Sequence, residues 1–147
     1  GAAAANHPNC AKGDVRTMSA KRILLVDDEP DLLALLKLAF EENKYKTLLA
    51  GNGEEALKLA RGKKPDAIVL DIKMPKLNGH EFLGQMRRDP KIAHIPVLVF
   101  TSITNGVERT DEEWAKSLEV QDFLSKPAEP YDLVNRVSVL IERCQSA

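Results

Sequence analysis

The stretch Arg22-Ile23-Leu24-Leu25-Val26-Asp27-Asp28-Glu29-Pro30 joins a short apolar run to a cluster of acids. Ile23 to Val26 is too short for a helix and is bounded by charge, the mark of a buried strand. Pro30 stands where the first turn of a helix tolerates it. Leu32, Leu33, Leu35, Leu36, Ala39 and Phe40 then recur at helical spacing, which predicts a helix over about 30–43.

The same unit repeats along the chain. Tyr45 to Ala50 reads as a second, weaker strand. Asn52-Gly53-Glu54-Glu55 carries a helix-start signal, with Asn52 as N-cap and Glu55 three residues on. Ala56, Leu57, Leu59 and Ala60 supply the apolar face of that helix, and Gly62 is the expected left-handed stop. Asp66 to Leu70 predicts a third strand that ends in Asp71. Pro75 and Gly79 mark a loop, Asn78 and Glu81 repeat the capping pattern, and Phe82, Leu83 and Met86 form a third helical face. Pro96 to Phe100 predicts a fourth strand ending at Thr101, followed by a helix around Glu112 to Leu118. Gln121 to Ser125 predicts the last strand, and a final helix carries Leu133, Val134, Val137, Leu140 and Ile141 on one side.

Strands apolar on both faces, separated by helix-length connections, imply a parallel sheet covered on both sides. Right-handed crossovers make it doubly wound. The expected fold class is therefore α/β, a five-stranded parallel sheet in the order 2-1-3-4-5 with five helices, flavodoxin-like. In such sheets function gathers at the carboxyl ends of the strands. Asp27 and Asp28 end the first strand, Asp71 the third, Thr101 and Ser102 the fourth, and Lys126-Pro127 follows the fifth. The strand order sets these ends side by side.

Three carboxylates in one cleft raise one another's pKa unless a cation is present. Mg²⁺ takes oxygen ligands and is commonly held by one or two carboxylates plus a phosphate. A lysine beside them adds a second positive charge, and a carboxylate can serve as the nucleophile that forms an acyl phosphate. Taken singly, acids after a strand serve as helix N-caps and Lys-Pro marks a surface turn. Their joint placement favours a phosphoryl pocket.

Val26-Asp27-Asp28-Glu29, Leu70-Asp71-Ile72-Lys73-Met74-Pro75, Gly79, Thr101-Ser102 and Phe123-Leu124-Ser125-Lys126-Pro127 together resemble the bacterial response-regulator receiver family of two-component signalling. The resemblance covers essentially all of Ala20 to Arg143. It implies that Asp71 is the phosphoacceptor. It also implies that Asp28 binds Mg²⁺ (or Mn²⁺) directly, that Asp27 does so through water or by positioning, and that the Lys73 carbonyl completes the ligands. Lys126, the Thr101 hydroxyl and the Ser102 backbone N–H would contact the phosphoryl oxygens. Phe123 would be the switch aromatic that turns inward as Thr101 moves. The implied partners are a sensor histidine kinase or phosphotransfer protein, and an unknown output partner on helix four, strand five and helix five. A monomer or a phosphorylation-dependent dimer is implied, with direct nucleic-acid binding and membrane insertion not expected. The implied activity is that of a signalling switch, with self-catalysed phosphorylation and autodephosphorylation only, in the cytoplasm.

Size and composition agree. At 147 residues, 44% hydrophobic and with net charge −1, the chain fits one ordinary domain and offers no broad attraction to nucleic acid or membrane. Cys10 and Cys144 have no disulfide or zinc spacing, and His7, His80 and His94 are scattered. Residues 1–17 read as an expression-vector remnant or disordered arm, and 18–147 as the receiver domain. Three alternatives are weaker. An aspartyl-phosphate hydrolase would pair its nucleophile with an acid two residues on, where Lys73 stands. A flavin or nucleotide binder would need a Gly-rich loop after the first strand. A degenerate receiver would lack one of the five site residues.

Some features depart from the family. The segment from Ile103 to Asp111 is slightly longer than usual. Glu119-Val120 replaces the common Gly-Ala before the fifth strand, so Glu119 must adopt a left-handed geometry or end the helix differently. Ala128 stands where a bulkier residue is common. Lys73 is a loop lysine that would slow attack by water if it lay over the pocket. Trp114, the single tryptophan, falls on the fourth helix and is expected to pack there.

Overall fold

The computed structural model describes residues 20–72, 79–102 and 110–146. Its elements alternate as the sequence predicts: β1 (Arg22–Val26), α1 (Pro30–Glu42), β2 (Lys46–Ala50), α2 (Gly53–Lys63), β3 (Ala67–Leu70), α3 (Gly79–Arg87), β4 (Val97–Thr101), α4 (Asp111–Leu118), β5 (Asp122–Ser125) and α5 (Pro130–Ser146). The five strands form one parallel sheet in the order β2-β1-β3-β4-β5.

Strand alternation divides the core in two. Leu24, Val26, Ile68, Leu70, Val97 and Val99 face α2, α3 and α4, where Phe82, Leu83 and Phe123 join them. Ile23, Leu25, Val69, Leu98 and Phe100 face α1 and α5. The predicted face of α5 is buried in full, and α1 buries Leu33, Leu36 and Phe40. Leu35 of the predicted α1 face is half exposed, because the apolar set is wider than the stripe that the sheet covers.

The helix starts follow the capping chemistry. Asn52 accepts from the Glu55 N–H at 2.9 Å, and Glu55 Oε1 reaches back to the Gly51 N–H at 2.8 Å. Thr110 and Glu113 form a reciprocal capping box on α4. Asn78, the expected cap of α3, lies outside the described residues.

The helix ends correct one expectation. Gly62 does not stop α2: the helix runs on to Lys63, and Lys64 takes the left-handed geometry, with φ 48°. α1 ends on Lys44 at φ 74°, with the Tyr45 N–H bonded to the Phe40 carbonyl and the Lys44 N–H to Glu41. α4 ends the same way on Glu119 at φ 59°: the Val120 N–H reaches the Ala115 carbonyl and the Glu119 N–H that of Lys116. Glu119 thus does adopt the left-handed geometry. The Arg87 guanidinium, at the end of α3, donates to the free carbonyls of Leu118 and Glu119 and so caps α4 from a neighbouring helix.

Gly79 opens α3 in contact with the end of β3. A Cβ there would meet Ile72 Cα at 2.6 Å and the Asp71 carbonyl oxygen at 3.0 Å, so only hydrogen lets the helix start this close. Two outcomes follow. Glu119→Gly is expected to raise unfolding stability by about 0.5–1 kcal/mol by removing the left-handed penalty on a side chain. Gly79→Ala is expected to lower it by about 1–3 kcal/mol through overpacking against backbone. Urea unfolding of both variants beside the parent measures each sign.

Candidate functional site: an acidic pocket at the carboxyl edge of the sheet

Each side chain of the site is delivered by the end of a strand. β1 and β3 are adjacent, and the Asp71 N–H still bonds to the Val26 carbonyl at 2.9 Å, so Asp71 sits beside Asp27. The Asp27 N–H bonds to the Ala50 carbonyl of β2 at 3.1 Å. Both carboxylates are buried, Asp27 3% and Asp71 5% exposed, whereas Asp28 is exposed at the mouth. Ligand oxygens from Asp27, Asp28 and Asp71 lie within 4.8 Å of one another. Among the described residues this is the group of acids, histidines and cysteines placed to share one cation.

Thr101 closes the pocket from β4. It is 6% exposed, and its hydroxyl donates to Asp71 Oδ1 at 2.7 Å. Ser102 follows it, partly buried. Lys126 enters from the end of β5, where its N–H bonds to the Thr101 carbonyl at 2.9 Å. Its ammonium lies 2.8 Å from Asp27 Oδ2 and 3.7 Å from Asp71 Oδ2. Burial by itself would lower the Lys126 pKa. The hydrogen bond that Lys126 donates to Asp27 and the charges of Asp71, Asp27 and Glu29 outweigh burial and hold it above the ordinary lysine value. The Lys126–Pro127 peptide bond is cis.

The structure therefore brings together Asp27, Asp28, Asp71, Thr101 and Lys126. Lys73, whose carbonyl the family resemblance adds to the set, lies outside the described residues, as do residues 103–109 of the longer segment Ile103 to Asp111, whose last two residues cap and open α4. His80 and His94 are exposed and, among the described residues, belong to no such cluster.

Phe123 is fully buried and points inward, at 1% exposure. Trp114 of α4 stacks on it, with ring centroids 5.8 Å apart and planes 16° apart. This inward position coincides with Thr101 bonded directly to Asp71. A second tie was not legible in the sequence. The Asp111 carboxylate accepts from the Ser125 hydroxyl at 3.2 Å and from its N–H at 3.4 Å, joining the first residue of α4 to the strand end beside Lys126. An acid in the first turn of a helix looks like a dipole partner alone, and only the fold reveals the strand it touches.

Chemically, the pocket joins a buried carboxylate, a hydroxyl donor and an ammonium next to oxygen ligands suited to a hard cation. No helix among the described residues is long and apolar enough to cross a membrane.

Comparison with known proteins agrees with this geometry. The family model described as the response regulator receiver domain matches residues 23–138. The alkaline phosphatase synthesis transcriptional regulatory protein PhoP of Bacillus subtilis is 37% identical over 131 residues, which are 86% of this chain and 51% of that protein. Protein PilH of Pseudomonas aeruginosa is 34% identical over 82% of this chain and 97% of its own length. The chain thus spans about half of the first relative and nearly all of the second. Among solved structures, the receiver domain of the Francisella response regulator 1452 superposes with a TM-score of 0.73 at 29% identity, covering 84% of this chain and 98% of that one. A CheY-like receiver domain from Methanospirillum hungatei shares the fold, with a TM-score of 0.74 at 22% identity, 87% of this chain and 98% of that one being covered. With the family model spanning all five strands save Arg22, and all five polar residues of the pocket, this chain belongs to the response regulator receiver domain family, the signalling switches of two-component systems.

Proposed function

We propose that this domain accepts a phosphoryl group on Asp71, with Mg²⁺ as cofactor, from a sensor histidine kinase or phosphotransfer protein. The observation that carries the reading is the single pocket in which Asp71 has Thr101 at 2.7 Å and Lys126 at 3.7 Å, beside two further carboxylates. An Asp71 carboxylate oxygen attacks phosphorus as the bond from phosphorus to the donor imidazole nitrogen breaks, and the electron pair leaves with the imidazole. The product is an acyl phosphate on Asp71. Hydrolysis reverses the state: water attacks the same phosphorus, the phosphorus–oxygen bond to Asp71 breaks, and phosphate is released.

The donor set fits Mg²⁺ or Mn²⁺. All three side chains offer carboxylate oxygens close enough to share one ion, and Asp28 is exposed where waters complete the shell. Asp28, Asp27, Asp71 and the Lys73 carbonyl would hold it, and when bound it supplies positive charge against the phosphoryl oxygens. The chain's own groups do the rest. Lys126 leaves Asp27 for a phosphoryl oxygen. The Thr101 hydroxyl turns from Asp71 Oδ1 to another, and the Ser102 N–H faces the same group. Phosphorylation adds nearly two negative charges and new acceptor oxygens, which fixes Thr101 inward. Phe123 then keeps its buried place under Trp114, and the position of α4 follows. The output surface of this reading is α4, β5 and α5, where a groove of about 530 Å³ lies among Glu112, Ala115, Gln121, Arg136 and Val139. The domain is read as residues 18–147, cytoplasmic, and monomeric or dimeric on phosphorylation.

Incubation with acetyl phosphate and Mg²⁺ is expected to add the mass of one phosphoryl group, lost under alkali, and Asp71→Asn is expected to add none. Intact mass spectrometry decides this, and an unlabelled parent protein rejects the reading. Mg²⁺ at a hundred times its Kd is expected to stabilise the parent by about 2.7 kcal/mol, and Asp28→Asn to lose most of that gain. Trp114 fluorescence, read in the same titrations with beryllofluoride as phosphoryl mimic, is expected to change in the parent and stay constant in Asp71→Asn.

A further inference from the structure

Phe100 precedes Thr101 on β4, and strand alternation turns it to the opposite side of the sheet. There it is 3% exposed and packs in the α1 and α5 core with Leu98, Leu133 and Val134. Its ring also lies under Lys126. The Nζ atom is 5.5 Å from the ring centroid while it holds Asp27 at 2.8 Å. An ammonium within about 6 Å of an aromatic face is attracted by the ring quadrupole, and more strongly where water is excluded. The Lys126 side chain is only 16% exposed, so water screens this contact weakly.

Two kinds of partner thus hold this ammonium, and they differ in what phosphorylation does to them. Asp27 and Asp71 would be drawn toward the metal ion, and Asp71 becomes an acyl phosphate. The ring has no formal charge, ligates neither the metal ion nor the phosphoryl group, and attracts Lys126 equally before and after transfer. A lysine stem is flexible. Released from Asp27 without a platform, its ammonium would sample positions far from the pocket. A leucine at 100 would fill much of the same core and provide no such attraction.

We propose that Phe100 is a positioning residue for phosphoryl transfer, its ring face holding the Lys126 ammonium over the pocket as Lys126 passes from Asp27 to the phosphoryl group. This rests on the phosphoacceptor reading of Asp71 and adds an apolar residue to it. Fluorination of the ring drains its face of negative charge at nearly constant size. The test places mono-, di- and trifluorinated phenylalanine at position 100 and follows labelling of Asp71 by acetyl phosphate with saturating Mg²⁺, with thermal unfolding measured on each protein.

The rate is expected to fall stepwise along the series, by roughly twofold to thirtyfold at its end, with melting temperature unchanged. In a Lys126→Met background the series is expected to be flat. Equal rates across the series, or a dependence that survives Lys126→Met, overturn the proposal and leave the phosphoacceptor reading standing. A parent protein that is never labelled overturns both.

Discussion

Two buried carboxylates side by side are unstable unless something positive lies between them, and in this fold that charge is the ammonium of Lys126. Asp27 and Lys126 are 99 residues apart in sequence and 2.8 Å apart in space. The sheet must be in register from β1 through β3 and β4 to β5 for the contact to form. Removing one partner from a buried pair generally costs about 3–5 kcal/mol, because the other is left uncompensated. The same requirement underlies the proposed metal binding. In the proposed function a divalent ion would take over that neutralisation and free the lysine for another anion.

The contacts that lead from this pocket to the surface run through residues with two-sided roles. Thr101 donates to Asp71 and carries, on its carbonyl, the N–H of Lys126. Phe123 on the neighbouring strand is buried beneath Trp114, and Asp111 ties the start of α4 to Ser125. α4 buries no residue completely and is only eight residues long. Ala115 and Leu118 pack, partly buried, against the core, and these ties and the Arg87 cap at its far end add to that packing. α4 thus rests on a narrower apolar footing than α5, whose predicted apolar face is buried in full.

Several helix ends show how backbone strain is offset in the frame. Lys44, Lys64 and Glu119 occupy left-handed positions where glycine would be less strained. In α1 and α4 the doubled backbone bonds of the terminal motif offset that strain, and Arg87 adds side-chain donors for α4. Gly79 is the opposite case. Its backbone is in contact with Ile72 and Asp71, so the residue is fixed by space around the pocket.

Much of the fold was legible in the residue order. Five apolar runs separated by helical periodicity specify a parallel two-layered arrangement, and Asp27, Asp28, Asp71, Thr101 and Lys126 at their ends specify a pocket, because strand ends in such sheets must converge. Periodicity alone misplaced the end of α2, where Gly62 is the conventional signal but backbone geometry and packing carried the helix to Lys63. It also gave α1 one apolar residue more than the sheet covers. Contacts between elements were beyond it. Phe100 looks like any core residue in its strand, Asp111 like any acid at a helix start, and Arg87 like a surface charge. Local sequence sets which residues are apolar, which cap and which are charged. Only the tertiary structure brings the ring under the ammonium and the guanidinium to the neighbouring helix end, since those distances depend on how layers pack and not on spacing along the chain.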